Sequence, residues 1–324
     1  MKVLFAASEN AWEGVLGAIR KRLPDHQFDP SGGFRVESLA GYDVLIPTMA
    51  EITAELLDTA DRLQLIQQCG AGVERIDLAA ARERNIPVAN VPSDVSGNAD
   101  SVAELGIYLM IGLARDAKGM AKSLAEGRIG TPMGRALSGR TVGLVGVGGI
   151  GRALIPRLRA FHMNVIGLKR RNPKQAEKEL GLPWVGGPDD LPELCKRSDF
   201  VVLCLPQTPE TVGFMDGKAI SAMKSSAFLV NLSRGGVVDR KALVDALRVG
   251  SIAGAGLDVF WEEPPHPTDP IFQFNVIATP HVAGATDISA RGIMEGVVDN
   301  LQRLAAGSAP FNIVNDVAPG GGRR

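Results

Sequence analysis

The sequence Thr141-Val-Gly-Leu-Val-Gly-Val-Gly-Gly-Ile-Gly-Arg152 decides the fold, because a short apolar run passes there into a glycine-rich turn and then into a helical pattern. Gly146, Gly148 and Gly151 have the spacing G-x-G-x-x-G. In that pattern the first glycine makes a tight turn, the second admits a pyrophosphate close to the backbone, and the third lets the helix pack on the strand. The stretch therefore predicts a dinucleotide site at a helix N-terminus, where free N–H groups attract anions.

A glycine triplet alone is a weak signal in a chain that contains 38 glycines. The context of this one strengthens the prediction. The apolar run 142–147 precedes it, apolar residues follow it at helical spacing, and a second strand at 163–168 comes at the distance that a βαβ unit requires. Gly149 and Ile150 open the predicted helix and are expected to contact the cofactor with the three glycines.

Length and composition limit the possible classes of protein. A chain of 324 residues predicts two domains, and a net charge of −1 with a pI near 6.5 provides no basic field for nucleic acid. Cys69, Cys195 and Cys204 are too widely spaced for a zinc site and predict reduced, buried thiols. No stretch approaches the roughly 20 apolar residues that a membrane span needs, and the N-terminal apolar run is too short for a signal peptide. We expect a cytoplasmic protein that binds neither metal, membrane nor nucleic acid.

The first hundred residues predict strands that alternate with helices, which is typical of a parallel sheet covered on both faces. The predicted strands are 3–6, 44–46, 63–66 and 88–89, and the predicted helices lie near 11–22, 51–60 and 75–84. The sequence Gly70-Ala-Gly-Val73 follows the third strand and opens a helix, so it aims free backbone N–H groups outward. A plain turn between strand and helix is an equally good interpretation.

The rest of the chain continues the alternation. A helix at 99–114 is apolar on nearly every face in its second half, so we expect the fold or a partner subunit to bury it. Residues 118–140 are interpreted as a connection, residues 288–304 as a final helix that returns to the first domain, and residues 318–324 as a disordered tail. Further strands are predicted at 200–205, 227–232, 254–259 and 276–279. Polar residues follow these strands, at the edge where open α/β sheets bind ligands.

Three of these polar residues have the chemistry that a dinucleotide-dependent hydride transfer requires. Arg234, in a Ser-Arg-Gly-Gly turn, could hold a carboxylate through two parallel hydrogen bonds. His281 follows a strand and a proline and could exchange a proton near neutral pH. Glu263 could hydrogen-bond the imidazole, orient it and favour its protonated form. Taken singly, a surface salt bridge, a loop histidine and a solvated carboxylate remain open alternatives.

The order of these residues resembles that of the D-isomer-specific 2-hydroxyacid dehydrogenases. The resemblance covers roughly residues 40 to 315. The matching stretches are Gly70-Ala-Gly-Val-Glu-Arg-Ile-Asp77, Ser101-Val-Ala-Glu104, Gly146-Val-Gly-Gly-Ile-Gly-Arg152, Leu205-Pro-Gln-Thr-Pro-Glu-Thr211, Asn231-Leu-Ser-Arg-Gly-Gly236, Leu257-Asp-Val-Phe-Trp-Glu-Glu-Pro264 and Thr279-Pro-His-Val-Ala-Gly-Ala-Thr286.

The resemblance implies an α/β fold of two doubly wound parallel-sheet domains around a cleft. A Rossmann cofactor domain, residues 100–286, would be inserted into a flavodoxin-like substrate domain made of residues 1–99 and 287–317. Arg234 would bind the substrate carboxylate, His281 would protonate the carbonyl oxygen, and Glu263 would be the partner of His281. The side-chain pocket is expected near Thr48, Met49 and Ala50 or on a partner subunit.

The resemblance also assigns further ligand contacts. Backbone amides of Ala71, Gly72 and Val73 would help to hold the carboxylate, and Asp258 would lie near the nicotinamide carboxamide. The other expected cofactor contacts, besides His281, are Leu205, Pro206, Thr211, Leu232, Ser233, Ala283 and Gly284.

The residues after the second strand of the cofactor unit indicate which dinucleotide is used. NAD sites place an acidic residue there to bind the ribose hydroxyls, but this chain has Lys169, Arg170 and Arg171, and no carboxylate before Glu177. Arg170, assisted by Lys169 or Arg171, could bind the 2′-phosphate of NADPH. We expect NADPH to be preferred, with NAD also possible. A solvated basic turn is the alternative.

Within the resemblance, reduction of a small 2-keto acid, similar to the reaction of glyoxylate and hydroxypyruvate reductases, fits best. Formate dehydrogenases carry a glutamine where this chain has Glu263, and phosphoglycerate dehydrogenases often carry an added regulatory domain for which this chain has no room. A phosphoglycerate-dehydrogenase-like NAD enzyme and a nucleotide-sensing, corepressor-like protein remain alternatives. An L-hydroxyacid dehydrogenase fits poorly, because those chains begin with the glycine motif. The apolar helix at 99–114 predicts a homodimer.

Overall fold

The computed structural model of the chain describes residues 1–317, apart from the side chain of Glu13. The predicted disordered tail, residues 318–324, lies outside the described residues. The chain divides into two compact units. Unit 1 comprises Met1–Asn98 and Thr286–Arg324, and unit 2 comprises Ala99–Ala285. In the part described, no helix is both long enough and apolar enough to cross a membrane.

Each unit is built on one parallel sheet. The strands of unit 1 are β1 (Lys2–Phe5), β2 (Gln27–Pro30), β3 (Val44–Ile46), β4 (Leu65–Gln67) and β5 (Val88–Ala89). The strands of unit 2 are β6 (Thr141–Val145), β7 (Asn164–Leu168), β8 (Val185–Gly186), β9 (Phe200–Leu203), β10 (Phe228–Asn231), β11 (Gly254–Leu257) and β12 (Val276–Ala278).

Helices connect these strands and cover both faces of each sheet. Unit 1 contains α1 (Ala11–Arg22), α2 (Ala54–Asp58) and α3 (Leu78–Glu83). The helix α4 (Asn98–Ala114) begins at the junction, and α5 (Ala117–Ala125), α6 (Gly149–Ala160), α7 (Pro173–Leu180), α8 (Leu191–Arg197), α9 (Gly217–Ser221) and α10 (Arg240–Val249) follow in unit 2. The last described helix, α11 (Asp287–Ala305), belongs to unit 1.

The strand orders identify the two architectures. Unit 1 has the order β2-β1-β3-β4-β5, which is the flavodoxin-like order. Unit 2 has the order β12-β11-β10-β9-β6-β7-β8, which is the Rossmann order extended by a seventh strand. The predicted fold class, a Rossmann unit inserted into a flavodoxin-like unit, is confirmed. In unit 2, β6 lies between β7 and β9, so the strand order reverses at the end of the glycine-bearing strand.

Both sheets are buried on both faces, because successive side chains of a strand enter opposite apolar clusters. In β6, Val142 and Leu144 join one cluster and Val145 joins the other. In unit 1, α11 contributes Val297 and Leu301 to one of the two clusters. Neighbouring strands pair in parallel, so their carboxyl ends lie at one edge of each sheet and the residues that follow them share that edge.

The segment 118–140 differs from its predicted structure, which is a connection between helix and strand. It begins inside α5, so the prediction is wrong as far as residue 125. The helix starts because the Asp116 side chain accepts a hydrogen bond of 3.0 Å from the Gly119 N–H group and satisfies a free donor of the first turn. Two short edge strands, β2 and β8, also lie outside the strands that the apolar pattern predicts.

Candidate functional site

The glycine turn after β6 has a separate structural reason for each of its three glycines. Gly146 has φ +105°, a conformation in which a side chain is strained. A Cβ on Gly148 would meet no atom within 4 Å, so the space over this residue is open. A Cβ on Gly151 would lie 2.3 Å from the Gly146 carbonyl oxygen, so only glycine lets the helix approach the strand. This cradle is suited to a pyrophosphate.

The helix α6 adds donors to the same cradle. It starts at Gly149 with Gly148 as its N-terminal cap, so the N–H groups of Gly149 and Ile150 belong to its first turn and have no partner within the helix. The positive end of the helix dipole lies there as well. The sequence-predicted residues 146–151 thus form one surface of backbone donors at the point where the strand order of unit 2 reverses.

The basic turn follows the neighbouring strand of the sheet. Val145 pairs with Leu168, so Lys169, Arg170 and Arg171 begin where the glycine turn begins on the adjacent strand. Arg170 and Arg171 are exposed. Within residues 1–317, none of the three cations forms an ion pair, whereas nearby Arg152 and Lys174 each pair with a carboxylate of α7. The guanidinium groups of this turn are therefore available for an anion.

Arg234 lies in a turn that a buried asparagine holds. Asn231, the last residue of β10, is 1% exposed. Its Nδ2 donates to the Arg234 carbonyl oxygen at 2.9 Å, and its Oδ1 accepts from the N–H group of Ser233 at 3.0 Å. The next residue, Gly235, lies against backbone, because a Cβ there would be 2.1 Å from the Phe260 carbonyl carbon and oxygen. Sequence reasoning missed the role of Asn231, although a buried asparagine at a strand end is a recognisable signal.

His281 and Glu263 are 18 residues apart in the chain and meet in the structure. The distance between His281 Nδ1 and Glu263 Oε2 is 2.9 Å. The other carboxylate oxygen accepts from the Phe260 N–H group at 3.1 Å, which fixes the carboxylate plane. Because Nδ1 faces a carboxylate, it carries the proton, and Nε2 is the nitrogen left to face a ligand. Within the described residues, Nε2 makes no hydrogen bond.

The charge of Glu263 is maintained by its surroundings. Burial acts to raise the pKa of this carboxyl group. The hydrogen bonds from His281 and Phe260 and the nearby positive charges of His281 and Arg234 outweigh it and lower the pKa below its ordinary value. Glu263 is thus ionised at neutral pH, and the electrostatic influence of Arg234 places all three predicted residues in one neighbourhood of unit 2.

Asp258 holds the loop that carries His281. Its side chain is 1% exposed, and its carboxylate accepts hydrogen bonds from the Thr279 hydroxyl at 2.7 Å, the Val282 N–H group at 2.9 Å and the Ala283 N–H group at 3.0 Å. The His281 N–H group donates to the Asp258 carbonyl oxygen at 2.8 Å. His281 has φ +55°, and these bonds hold that uncommon conformation.

The remaining predicted cofactor residues follow strands of the same sheet. Leu205 and Pro206 come after β9, where the Thr211 hydroxyl donates to the Pro206 carbonyl oxygen at 2.7 Å and closes the loop. Leu232 and Ser233 come directly after β10, and Ala283 and Gly284 follow the histidine after β12. With Asp258 after β11, the residues expected to contact a dinucleotide therefore follow β6, β7, β9, β10, β11 and β12.

The predicted carboxylate-binding loop, residues 70–73, lies in unit 1 after β4. Gly70 has φ +99°, and within residues 1–317 the N–H groups of Ala71, Gly72 and Val73 donate no hydrogen bond. Thr48 follows the neighbouring strand β3, is buried and has φ +54°. The loop therefore presents three unused backbone donors at the carboxyl edge of the sheet of unit 1, which is the geometry of an anion-binding turn.

Comparison with known proteins identifies a family for this chain. A family model described as "D-isomer specific 2-hydroxyacid dehydrogenase, NAD binding domain" matches residues 107–283. Glyoxylate reductase from Thermococcus litoralis is 37% identical over 297 residues, which cover 88% of this chain and 87% of that protein. D-3-phosphoglycerate dehydrogenase from Methanocaldococcus jannaschii is 37% identical over 283 residues, 86% of this chain, and the chain spans only 53% of that protein's length.

A solved structure supports the same grouping. The NADPH-dependent glyoxylate/hydroxypyruvate reductase from Sinorhizobium meliloti, in complex with NADP and malonate, superposes with a TM-score of 0.84. The two sequences are 29% identical, and the match covers 100% of this chain and 98% of that one.

Proposed function

The chain belongs to the D-isomer-specific 2-hydroxyacid dehydrogenase family, and from that premise we propose that it reduces a small 2-keto acid to the D-2-hydroxy acid with NADPH. The substrate is of the size of glyoxylate or hydroxypyruvate. The observation that carries the proposal is the 2.9 Å contact between His281 and Glu263, on the same sheet as the glycine cradle. A paired, oriented imidazole at the ligand edge of a Rossmann sheet is suited to protonate a carbonyl oxygen.

In this mechanism, the bound dinucleotide supplies the hydride that reaches the keto carbon. His281 donates its Nε2 proton to the carbonyl oxygen, so that C=O becomes CH–OH and the imidazole is left neutral. Glu263 holds Nδ1–H, which fixes the ring and stabilises the imidazolium before transfer. Arg234 binds the substrate carboxylate through two parallel hydrogen bonds. The N–H groups of residues 71–73 are the carboxylate donors proposed for unit 1. Unit 2 is the cofactor-binding domain in this proposal, and unit 1 is the substrate domain.

The proposed cofactor is NADPH, with NAD as a poorer alternative. The open space over Gly148 and the first-turn donors of α6 fit the pyrophosphate. Three cations follow β7 at the position where an acidic residue would bind a ribose hydroxyl, and they support contact with a 2′-phosphate. Asp258 and the loops after β9, β10 and β12 hold the nicotinamide half in the same proposal.

We also propose that the protein is a homodimer. In unit 2, α4 and α5 carry exposed apolar side chains, among them Tyr108, which is 55% exposed, and Leu124, which is 82% exposed. The segment that follows adds Ile129 and Met133. Large exposed apolar groups of this kind mark subunit interfaces. The free cysteines Cys69, Cys195 and Cys204 support a location in the reducing cytoplasm.

The test is turnover with a panel of 2-keto acids, including glyoxylate and hydroxypyruvate, in the wild type and in two histidine variants. His281→Ala should lower kcat by about 10²- to 10⁴-fold and leave the dissociation constant of NADPH unchanged, because a general acid acts on the substrate and not on the cofactor. His266→Ala is the matched control, since within residues 1–317 this exposed imidazole bonds only to Thr268. A His281→Ala enzyme that keeps more than about a third of the wild-type kcat contradicts the assignment.

A second candidate is oxidation of 3-phosphoglycerate with NAD. It is favoured by the 37% identity to the Methanocaldococcus jannaschii protein of that name. The same panel separates the two candidates if it includes 3-phosphoglycerate with both NAD and NADP. Tight dinucleotide binding without turnover of any acid would favour instead the nucleotide-sensing, corepressor-like alternative.

A further inference from the structure

The carboxylate-binding loop of unit 1, residues 70–73, needs a support for its geometry. Its three N–H groups make no hydrogen bond in the described part of the chain, and Gly70 leaves its backbone free to turn. Three donors can hold one carboxylate only if the backbone is kept in a single conformation. The contacts that fix this backbone therefore determine how well the loop binds an anion.

The side chain of Gln68 makes such contacts. It follows β4, is 6% exposed, and its Nε2 donates to the carbonyl oxygens of Thr48 and Gly72, each at 3.0 Å. Its Oε1 accepts from the Cys69 N–H group at 2.8 Å. One buried amide thus uses both hydrogens of its nitrogen and its oxygen, and links the loop after β4 to the loop after β3.

Both ends of this link are themselves held. The Thr48 hydroxyl donates to the Ala6 carbonyl oxygen, so the loop after β3 is fixed to the end of β1. On the far side of loop 70–73, Asn90 Nδ2 donates to the Ala71 carbonyl oxygen at 2.8 Å, and the Val91 N–H group donates to the Gly70 carbonyl oxygen at 3.0 Å. Gln68 holds the loop through the Gly72 carbonyl oxygen. Gly72 is the middle one of the three residues whose N–H groups are free within residues 1–317.

We propose that Gln68 is a positioning residue for substrate binding, which holds the N–H groups of residues 71–73 in the orientation that grips the substrate carboxylate. This inference rests on the proposed function, since it takes the substrate to be a 2-keto acid. Gln68 itself touches no substrate. Its contribution passes through the Gly72 carbonyl oxygen and therefore affects carboxylate affinity rather than the proton transfer at His281.

The neighbouring Gln67 provides a matched control. It is also a buried glutamine, with 0% exposure, but its side chain points to the other face of the sheet. There its Oε1 accepts from Asn300 Nδ2 at 2.7 Å, and its Nε2 donates to the Gln68 carbonyl oxygen at 3.0 Å. Gln67→Met and Gln68→Met each remove one buried amide and keep nearly the same side-chain volume, so a general loss of stability affects both.

The experiment measures KM and kcat of Gln68→Met and Gln67→Met with the best 2-keto acid. Each kcat is divided by the fraction of the enzyme that is folded. Gln68→Met should raise KM by about 10-fold or more with a smaller change in kcat, and the dissociation constant of NADPH should stay within about twofold. Gln67→Met should leave KM within about twofold of the wild type. If the Gln68→Met protein does not fold, Gln68→Glu serves instead, because it keeps the acceptor for Cys69 and removes both donors.

A second measurement does not depend on turnover. Hydrogen exchange at the Val91 amide, which donates to Gly70, should be at least about tenfold faster in Gln68→Met than in Gln67→Met. Equal KM changes in the two variants, or a Gln68→Met enzyme with the wild-type KM, would overturn the proposal. If the wild type reduces no 2-keto acid, the proposed function fails and the positioning role of Gln68 is judged by the exchange rates alone. Faster Val91 exchange in Gln68→Met than in Gln67→Met supports that role, and equal exchange in the two variants overturns it.

Discussion

Replacing Arg170 by alanine should remove much of the preference for NADPH over NADH. Arg170 is the second residue after β7, beside the glycine turn that follows β6, and is exposed. Its planar guanidinium can offer two parallel hydrogen bonds to a 2′-phosphate, which NADH lacks. The variant therefore changes an interaction that only one of the two cofactors makes.

The magnitude follows from the charge and the exposure of this site. A hydrogen bond to a charged group contributes about 1.5 to 3 kcal/mol, and solvent screening at an exposed position favours the lower end of that range. Since 1.4 kcal/mol is a factor of ten, Arg170→Ala should lower kcat/KM for NADPH by about 10- to 30-fold. For NADH the same constant should change by less than about twofold.

The assay compares kcat/KM for the two reduced cofactors at one saturating keto acid concentration and one fixed ionic strength. Lys174→Ala is the control, because it removes an exposed cation of the same region that is already paired with Glu177 at 3.1 Å. Repeating the assay at higher salt should reduce the effect of Arg170→Ala, since salt screens exposed charges. A variant that loses the same factor with both cofactors, or a wild type that prefers NADH, would refute the reasoning.

Three further outcomes are expected. Arg234→Ala should raise KM for the keto acid by about 10- to 100-fold with less effect on kcat, because a carboxylate clamp acts in ground state and transition state alike. An unchanged KM in steady-state assays would count against a role of Arg234 in binding the carboxylate. Glu263 has a lowered folded-state pKa, so its stabilisation is complete above the ordinary glutamic acid value and is lost as pH falls through the lowered value. The melting-temperature difference between wild type and Glu263→Gln should therefore shrink between about pH 6 and about pH 3, and a constant difference contradicts this. Leu124→Asp combined with Ile129→Asp should convert a dimer into a particle near 34.2 kDa in sedimentation, and a wild type that already sediments at that mass removes the dimer proposal.

The fold could be predicted well where burial dictates the sequence. Strands in the interior of a parallel sheet are apolar on both faces, so β6 and β9 appear as continuous runs. The edge strands β2 and β8 could not be found in this way. Only one face of an edge strand needs burial, and β2 consists of Gln, Phe, Asp and Pro with only Phe28 buried. The helix α5 was missed because the aspartate that caps it adopts a left-handed conformation that no local pattern predicts.

The candidate site also has a part that the sequence predicts and a part that it does not. Residue type and position after strands made Arg234, Glu263 and His281 candidates, and the resemblance of the ordered motifs was needed to prefer these roles over a salt bridge, a loop histidine and a solvated carboxylate. Their contacts, such as the 2.9 Å between His281 and Glu263, depend on loops whose path the sequence does not reveal. The supporting amides Asn231 and Gln68 were missed because a buried polar side chain is recognised only when its neighbours are known. Two adjacent glutamines at the end of an apolar strand were the available signal.

The interrupted course of unit 1 has a consequence for biosynthesis. Unit 2 is one continuous stretch, but unit 1 needs α11 and the segment after it, which are synthesised after unit 2. Until then, the apolar face that receives Val297 and Leu301 is open, and the β5 edge lacks Asn315, whose side chain accepts from the Val88 N–H group at 3.0 Å. Residues 1–98 are therefore synthesised before unit 2 but complete their fold after it, so the sheet of unit 1 stays unfinished while unit 2 is made. A chaperone that binds apolar surface would meet this protein at residues 1–98, and stalling before residue 286 would leave unit 2 attached to an incomplete unit 1.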